Sequence, residues 1–144
     1  MADILHQNKQ ELTKLETIDT GRPIRETEFD VAEGIECLHY YSGQISHSYD
    51  SVYNFQTARA YTKRIPLGVT LGIGAWNYPL QGVLWKGIAA IAYGNSMIYK
   101  PSEFTPSSAL WVEKCLVEAG LPEGVFQVSY GLVLLFIYAF SHLH

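Results

Sequence analysis

The alternation of apolar and polar positions is most regular between residues 69 and 106. An apolar run with glycine, Val69–Ile73, is followed by the polar stretch Ala75–Tyr78, which we call the elbow. Apolar residues then recur every three or four positions over residues 79–93, and a second apolar run covers 96–99. This order predicts strand, helix and strand, the βαβ crossover of a parallel sheet. The crossover is predicted to be the centre of an α/β fold, with the strand at 69–73 buried.

The same patterns predict further elements on both sides of the crossover: helices at about 3–18, 28–45 and 106–119, and strands at 59–65 and 125–129. Thr27 is predicted as the N-cap of the helix at 28–45, with Asp30 completing a capping box. Thr105 is predicted as the N-cap of the helix at 106–119, where Pro106 takes the first helical position.

Composition and charge indicate a globular protein and argue against nucleic-acid binding and membrane insertion. A chain of 144 residues with 48% hydrophobic content and a net charge of −4 is typical of one globular domain. Its longest basic run, Lys63-Arg64, is too short for a nucleic-acid surface, and the apolar run at 132–140 is too short to span a membrane. Cys37 and Cys115 form no disulfide framework. With no signal peptide at the start, the chain is expected to be cytoplasmic, without nucleic-acid or membrane partners.

Asn77 is the first candidate for chemistry. It lies in the elbow between a strand and a helix, and ligands of parallel sheets bind beyond the carboxyl ends of the strands. A side-chain amide there could donate a hydrogen bond to a developing oxyanion. The alternative is an ordinary turn asparagine that satisfies local backbone groups. Trp76 beside it could either line a pocket or belong to the core.

Lys100 and Glu103 are the second candidate. They follow the strand at 96–99, and a lysine donor with a carboxylate acceptor three residues on suits the two hydroxyls of a ribose. The alternative is a solvated ion pair in a loop. No phosphate-binding glycine motif occurs, and the five histidines lack metal-ligand spacing, so no metal site is predicted. Cys37 and Cys115 have no adjacent base and are predicted to be inert.

These motifs together resemble one family. GIGAWNYPLQGVLWKGIAAIAYGNSMIYKPSEFTPSSAL is very similar to the cofactor-domain core of the NAD(P)-dependent aldehyde dehydrogenases. LETIDTGRPIRET resembles the family's LETxDxGKP segment, with Arg22 where lysine is usual. The AWNYP wording is closest to the betaine-aldehyde and trimethylaminobutyraldehyde dehydrogenase branch. The resemblance implies a partial Rossmann-like cofactor-binding domain and NAD-dependent oxidation of an aldehyde to a carboxylic acid.

The resemblance also implies roles for individual residues. Asn77 matches the oxyanion-hole asparagine, and Lys100 and Glu103 match the pair that holds the adenosine ribose. Trp76 and the backbone at Gly74 and Ala75 match the wall near the nicotinamide, with Ala75 where many relatives carry proline. The family's members are homo-oligomers that act on small aldehydes.

Two departures from the family qualify these expectations. The family's nucleophilic cysteine and general-base glutamate lie in a catalytic domain that this chain lacks. After its third strand the family continues with a glycine-bearing turn and helix that seat the pyrophosphate, whereas here Gly131 leads into LVLLFIYAF. Residues 1–130 are therefore expected to form a partial cofactor-binding domain, and residues 131–144 a non-family apolar tail. The chain is expected to be a truncated or spliced product. The rival hypotheses are an inactive fragment that docks onto full-length subunits through its exposed sheet edge, and an unstable product without function.

Overall fold

A three-stranded parallel sheet with helices packed on it forms the centre of the computed structural model, which describes residues 1–46 and 50–131. The elements in chain order are α1 (Ala2–Gln7), α2 (Lys9–Thr20), α3 (Ile24–Gln44), β1 (Val52–Asn54), β2 (Arg59–Tyr61), β3 (Val69–Ile73), α4 (Pro79–Ala92), β4 (Ser96–Lys100), α5 (Ser107–Glu118) and β5 (Phe126–Val128). The sheet order is β3-β4-β5, with Val69 opposite Ser96 and Met97 opposite Phe126. The predicted α/β, partial Rossmann-like class is confirmed.

The predicted crossover is confirmed almost to the residue. β3, α4 and β4 coincide with the expected strand, helix and strand, and α5 and β5 follow as predicted. Gly87 explains how closely α4 approaches the sheet, because a Cβ atom built there would lie 2.8 Å from the Phe126 ring. The strand predicted at 59–65 is shorter, since only β2 pairs, in an antiparallel hairpin with β1.

The burial predicted for β3 is wrong. Val69, Leu71 and Ile73 alternate on one face of the strand, and all three are exposed. Among the described strands β3 pairs with β4 alone, so it is an edge strand. An apolar run is typical of a strand covered on both faces, but no described element covers the face that carries these three residues.

The single helix predicted at 3–18 is two helices. Asn8 separates α1 from α2, and its Nδ2 donates a hydrogen bond to the Ile4 carbonyl at 2.9 Å. An asparagine side chain that bonds its own backbone competes with the helical hydrogen bonds. Ile18, predicted on the apolar face, is 79% exposed.

The predicted capping residues are also wrong. α3 begins at Ile24 with Pro23 as its N-cap, one turn before Thr27. The Thr27 hydroxyl is buried and lies 2.6 Å from the Thr17 hydroxyl, so it joins α3 to α2 instead of capping α3.

The other two predicted capping side chains are used differently as well. Asp30 forms an ion pair with Arg22 instead of completing a capping box. In α5 the N-cap is Pro106, and the buried Thr105 hydroxyl has no hydrogen-bond partner among the described residues. None of the three candidate side chains therefore caps a helix.

The tail predicted at 131–144 lies, from residue 132 onwards, outside the described residues, and the boundary at residue 130 stays a prediction. Across residues 1–46 and 50–131, no helix is long and apolar enough to cross a membrane.

Candidate functional site

The candidate site lies where β3 and β4 end. Parallel neighbouring strands end at the same edge of the sheet, which brings the elbow next to the Lys100–Glu103 turn. The Gly74 N–H donates to the Lys100 carbonyl at 2.8 Å, so one hydrogen bond ties the two segments together. The structure therefore brings all six predicted site residues to one edge.

The elbow presents its side chains to solvent. Ala75, Trp76 and Asn77 are all exposed, Trp76 by 59%, so the core alternative for Trp76 is wrong. Asn77 makes no side-chain hydrogen bond to any described residue, whereas a turn asparagine would satisfy local backbone groups. Pro79 occupies the first position of α4 and fixes the backbone beyond the elbow. The Asn77 side chain is therefore open to solvent at the carboxyl end of β3.

Gly74 is required where the elbow leaves β3. A Cβ atom built on Gly74 would lie 2.3 Å from the Tyr99 hydroxyl oxygen and 3.3 Å from the Pro101 Cα atom. The Tyr99 side chain is fully buried, its hydroxyl has no partner among the described residues, and burial raises its pKa. The side chain of Tyr99 on β4 thus packs directly against the backbone at Gly74, where the elbow begins.

Lys100 and Glu103 form a preformed pair. Lys100 is 1% exposed, and its Nζ lies 3.0 Å from Glu103 Oε2, whose side chain is 40% exposed. The Glu103 pKa is lowered, first by a hydrogen bond from its own backbone N–H and then by the Lys100 ammonium. The alternative of a solvated ion pair is wrong for the lysine, because only the carboxylate faces water.

Two carboxylates of α2 bond to the first residues of α4 and α5, the helices that follow the two strand ends. Sequence reasoning missed both. Glu16 is fully buried: Oε1 accepts the Leu80 N–H at 3.0 Å, and Oε2 accepts the Ser108 hydroxyl. Asp19 accepts the Ser107 N–H at 2.9 Å and the Ser107 hydroxyl at 2.8 Å. The only sequence signal was their place in LETIDTG. Amphipathic periodicity marks such residues as solvated.

A cavity of about 910 Å³ opens beside the elbow, and its aromatic lining was also missed. Its walls are Arg22, Pro23, Arg25, Glu26, Phe29, Asp30, Glu33, Tyr78, Gln81 and Trp85. The Arg22 guanidinium stacks 4.5 Å from the centre of the Tyr78 ring and pairs with Glu26 and Asp30. The signal available in the sequence was the spacing of Tyr78 and Trp85, two helical turns apart.

Neither cysteine has the setting of a nucleophile. Cys115 is buried, and burial raises its pKa to about 11. Cys37 is half-buried, and burial raises its pKa as well. A reactive cysteine needs a lowered pKa and an adjacent cation or base, so the raised pKa values support the inert thiols, which stay a prediction. No group of three or more potential metal-ligating side chains occurs in the described ranges.

Comparison with known proteins covers most of the chain. The profile of the "Aldehyde dehydrogenase family" matches residues 1–133. The chain belongs to this family. Betaine aldehyde dehydrogenase 2 of Rhizobium meliloti (strain 1021) is 52% identical over 132 residues, which cover 90% of this chain and 27% of that protein. The chain therefore spans about a quarter of the length of this relative. The resemblance to the betaine-aldehyde branch is in agreement with this match.

Solved structures of family members have the same fold. The aldehyde dehydrogenase KauB from Pseudomonas aeruginosa superimposes with a TM-score of 0.86 at 42% identity, covering 90% of this chain and 27% of that one. PnpE, solved in complex with nicotinamide adenine dinucleotide, gives a TM-score of 0.87 at 37% identity, covering 91% and 27%. The described sheet and helices thus have part of the aldehyde dehydrogenase fold.

Proposed function

We propose that the full-length protein oxidises an aldehyde to a carboxylic acid with NAD, and that this chain supplies its ribose clamp and an oxyanion donor. One observation carries the proposal. The Asn77 amide, which has no partner among the described residues, and the preformed donor–acceptor pair of Lys100 and Glu103 lie side by side. They stand at two strand ends joined by a hydrogen bond. An oxidation that needs both a held cofactor and a stabilised oxyanion uses both groups.

The Lys100–Glu103 pair fits the ribose of NAD. The buried lysine donates and the half-exposed carboxylate accepts, and a vicinal diol has partners for both. The backbone N–H and the Lys100 ammonium lower the Glu103 pKa, so they favour the ionised carboxylate that accepts the hydrogen bonds. Bound NAD would accept a hydride from the substrate carbon. The family relative PnpE binds this dinucleotide, which supports NAD as the cofactor.

The proposed task of Asn77 is to stabilise negative charge. When a thiolate attacks an aldehyde, the carbonyl oxygen becomes an alkoxide, and a preorganised amide N–H stabilises it more than it stabilises the aldehyde. Gly74, Ala75 and Trp76 would line the nicotinamide side of the same crevice. Neither Cys37 nor Cys115 has the setting of the attacking thiolate, so the nucleophile comes from outside residues 1–131.

The cavity beside the elbow favours a cationic aldehyde. Phe29 and Trp85 offer aromatic faces, and Glu33 adds a carboxylate, a combination that attracts quaternary ammonium groups. Two arginines, Arg22 and Arg25, also line the cavity, but the three carboxylates Glu26, Asp30 and Glu33 outnumber them. The relative named betaine aldehyde dehydrogenase supports this substrate class.

A chimeric enzyme tests the proposal. Residues 1–131 of this chain replace the matched segment of the Rhizobium meliloti enzyme, and NADH formation is followed by absorbance. The expected result is turnover of betaine aldehyde with a higher kcat/KM than its neutral isostere, in which tert-butyl replaces trimethylammonium. A folded chimera without turnover would contradict the activity, and equal kcat/KM values would contradict the cationic substrate.

A second candidate function is favoured by one observation, the exposed edge strand. Val69, Leu71 and Ile73 of β3 leave an apolar face uncovered, which suits docking of the isolated chain onto full-length subunits. In that case the purified 144-residue chain forms no NADH from any aldehyde but elutes with the full-length relative in size-exclusion chromatography. Separate elution would contradict docking.

The location and assembly of the full-length protein follow the family expectations. We propose a cytoplasmic homo-oligomer. The two free cysteines support a reducing compartment. The hairpin of β1 and β2, whose residues are all exposed and include Tyr53 and Tyr61, supports association with further copies.

A further inference from the structure

Glu16 connects three helices through one buried carboxylate. It belongs to α2, accepts the Leu80 N–H at the beginning of α4, and accepts the Ser108 hydroxyl at the beginning of α5. Leu80 lies three residues after Asn77. Both carboxylate oxygens of Glu16 therefore have partners, although the side chain is fully removed from water.

Asp19, three residues further along α2, makes a second connection of the same kind. It accepts two hydrogen bonds from Ser107, one from the backbone N–H and one from the hydroxyl. Ser107 is the first residue of α5, four residues after Glu103. Glu16 thus holds both helix beginnings, and Asp19 holds that of α5 alone.

The geometry points to Glu16 and Asp19 as positioning residues, a brace that sets the spacing between Asn77 and the Lys100–Glu103 pair. The inference rests on the proposed function, since it assigns these two groups to oxyanion and ribose. α4 carries the elbow at its beginning, and α5 begins directly after the Lys100–Glu103 turn. Because α2 bonds to the first residues of both α4 and α5, it fixes the distance between the starts of these two helices.

Physical chemistry explains why carboxylates serve here. The first N–H groups of a helix lack intrahelical partners, and a negative charge close to them also meets the positive end of the helix dipole. Burial opposes the charge on Glu16 and raises its pKa, while the Ser108 and Leu80 hydrogen bonds lower it. A buried carboxylate that loses either partner becomes costly, so Glu16 favours one arrangement of α4 and α5 strongly.

A role in positioning is separable from a role in stability. Replacing Glu16 loosens the elbow and the Lys100–Glu103 turn together, so kcat falls and the Kd of NAD rises. Replacing Asp19 loosens only the start of α5, so the Kd of NAD rises while kcat at saturating NAD is unchanged. A purely structural role would instead lower the melting temperature and move kcat and Kd in parallel for both variants.

The experiment uses the chimera described above with Glu16→Leu, Glu16→Gln and Asp19→Ala. The control is Glu11→Leu, on the exposed side of α2. Glu16→Leu is expected to lower kcat about tenfold or more, because misplacement of a reacting group by about 1 Å can cost a hundredfold. Glu16→Gln, which still accepts the Leu80 N–H, restores most of kcat. Calorimetric titration measures the Kd of NAD without turnover.

Hydrogen exchange gives a second readout that needs no turnover. Glu16→Leu is expected to speed amide exchange at the starts of both α4 and α5, and Asp19→Ala only at the start of α5. If Glu16→Leu fails to fold, Asp19→Ala becomes the test of the brace. In that variant, an equal change in kcat and in the Kd of NAD, or no change in either, would overturn the brace. If the unmodified chimera is inactive, the proposed function has failed, and the exchange pattern alone decides the brace.

Discussion

The ends of β3 and β4 lie side by side and differ in the burial and in the pairing of their side chains. At the end of β3 the side chains of Trp76 and Asn77 are exposed, and Asn77 has no partner among the described residues. At the end of β4 Lys100 is buried and already paired with Glu103. The pair is preformed and suits binding, whereas a free donor suits a charge that appears only during a reaction.

The position of each strand in the sheet causes this difference. β4 lies between two strands and under α4, so the stem of Lys100 is covered on all sides. β3 is the edge of the described sheet, and Pro79 starts α4 soon after the strand ends, which leaves the elbow projecting. The sharpest experiments therefore change one strand end and ask whether the other responds.

The largest effect is expected at Asn77. Asn77→Ala in the chimera should lower kcat by about a hundred- to a thousandfold, as for loss of one oxyanion donor. The melting temperature should hardly change, because the side chain is exposed and unpartnered. Kinetics and thermal unfolding on the same preparation check both points. A loss of stability in proportion to the loss of activity would instead identify a turn asparagine.

The next largest effect is expected where the two strand ends touch. Gly74→Ala places a Cβ atom against the Tyr99 hydroxyl, and overpacking of this kind costs about 1–3 kcal/mol in the free energy of unfolding. Gly43→Ala is the matched control, because a Cβ atom there meets no atom of a described residue within 4 Å. Denaturant unfolding of both variants compares them. Equal stabilities would show that the ring of Tyr99 does not support the elbow.

A smaller effect is expected at the end of β4. Lys100→Met keeps the apolar stem and removes the donor, so the Kd of NAD should rise about tenfold, in line with the loss of one charged hydrogen bond. The value of kcat at saturating NAD should stay the same. Lys114→Met, at an exposed position of α5, is the control. An unchanged Kd would remove the ribose role from Lys100.

The smallest effect concerns pH. The Glu103 pKa lies below its usual value of 4.5, so its contribution is present above that value and is lost as the pH falls through the lowered pKa. The affinity for NAD should therefore stay constant from neutral pH down to about pH 5, which is still above the usual pKa of a carboxyl group. Titration calorimetry over this range checks it, with Glu103→Gln as reference. A loss of affinity already near pH 6 that is absent in Glu103→Gln would contradict the lowered pKa.

Much of this comparison could be predicted from the sequence. Glycine and proline interrupt the apolar runs at every end of the crossover, so β3, α4 and β4 were placed correctly. Because strand ends in a parallel sheet carry ligands, Asn77 and Lys100 could be named as well.

The remainder depended on contacts that periodicity does not encode. Glu16 and Asp19 look like solvated residues of an amphipathic helix. Glu16 is nevertheless buried, because its carboxylate bonds to Leu80 of α4 and Ser108 of α5. Thr27 fits a capping motif, but its hydroxyl meets Thr17 on a neighbouring helix. The apolar run of β3 indicates a covered strand, whereas the face is open in the described structure because coverage depends on elements far along the chain.

The central claim is that the end of β3 acts on rate and the end of β4 on cofactor affinity. Its most direct test measures kcat at saturating NAD and the Kd of NAD together in the Asn77→Ala and Lys100→Met chimeras. The predicted result is a crossed pattern, in which Asn77→Ala lowers kcat with Kd unchanged and Lys100→Met raises Kd with kcat unchanged. A variant in which both quantities shift by the same factor would contradict the division between the two strand ends.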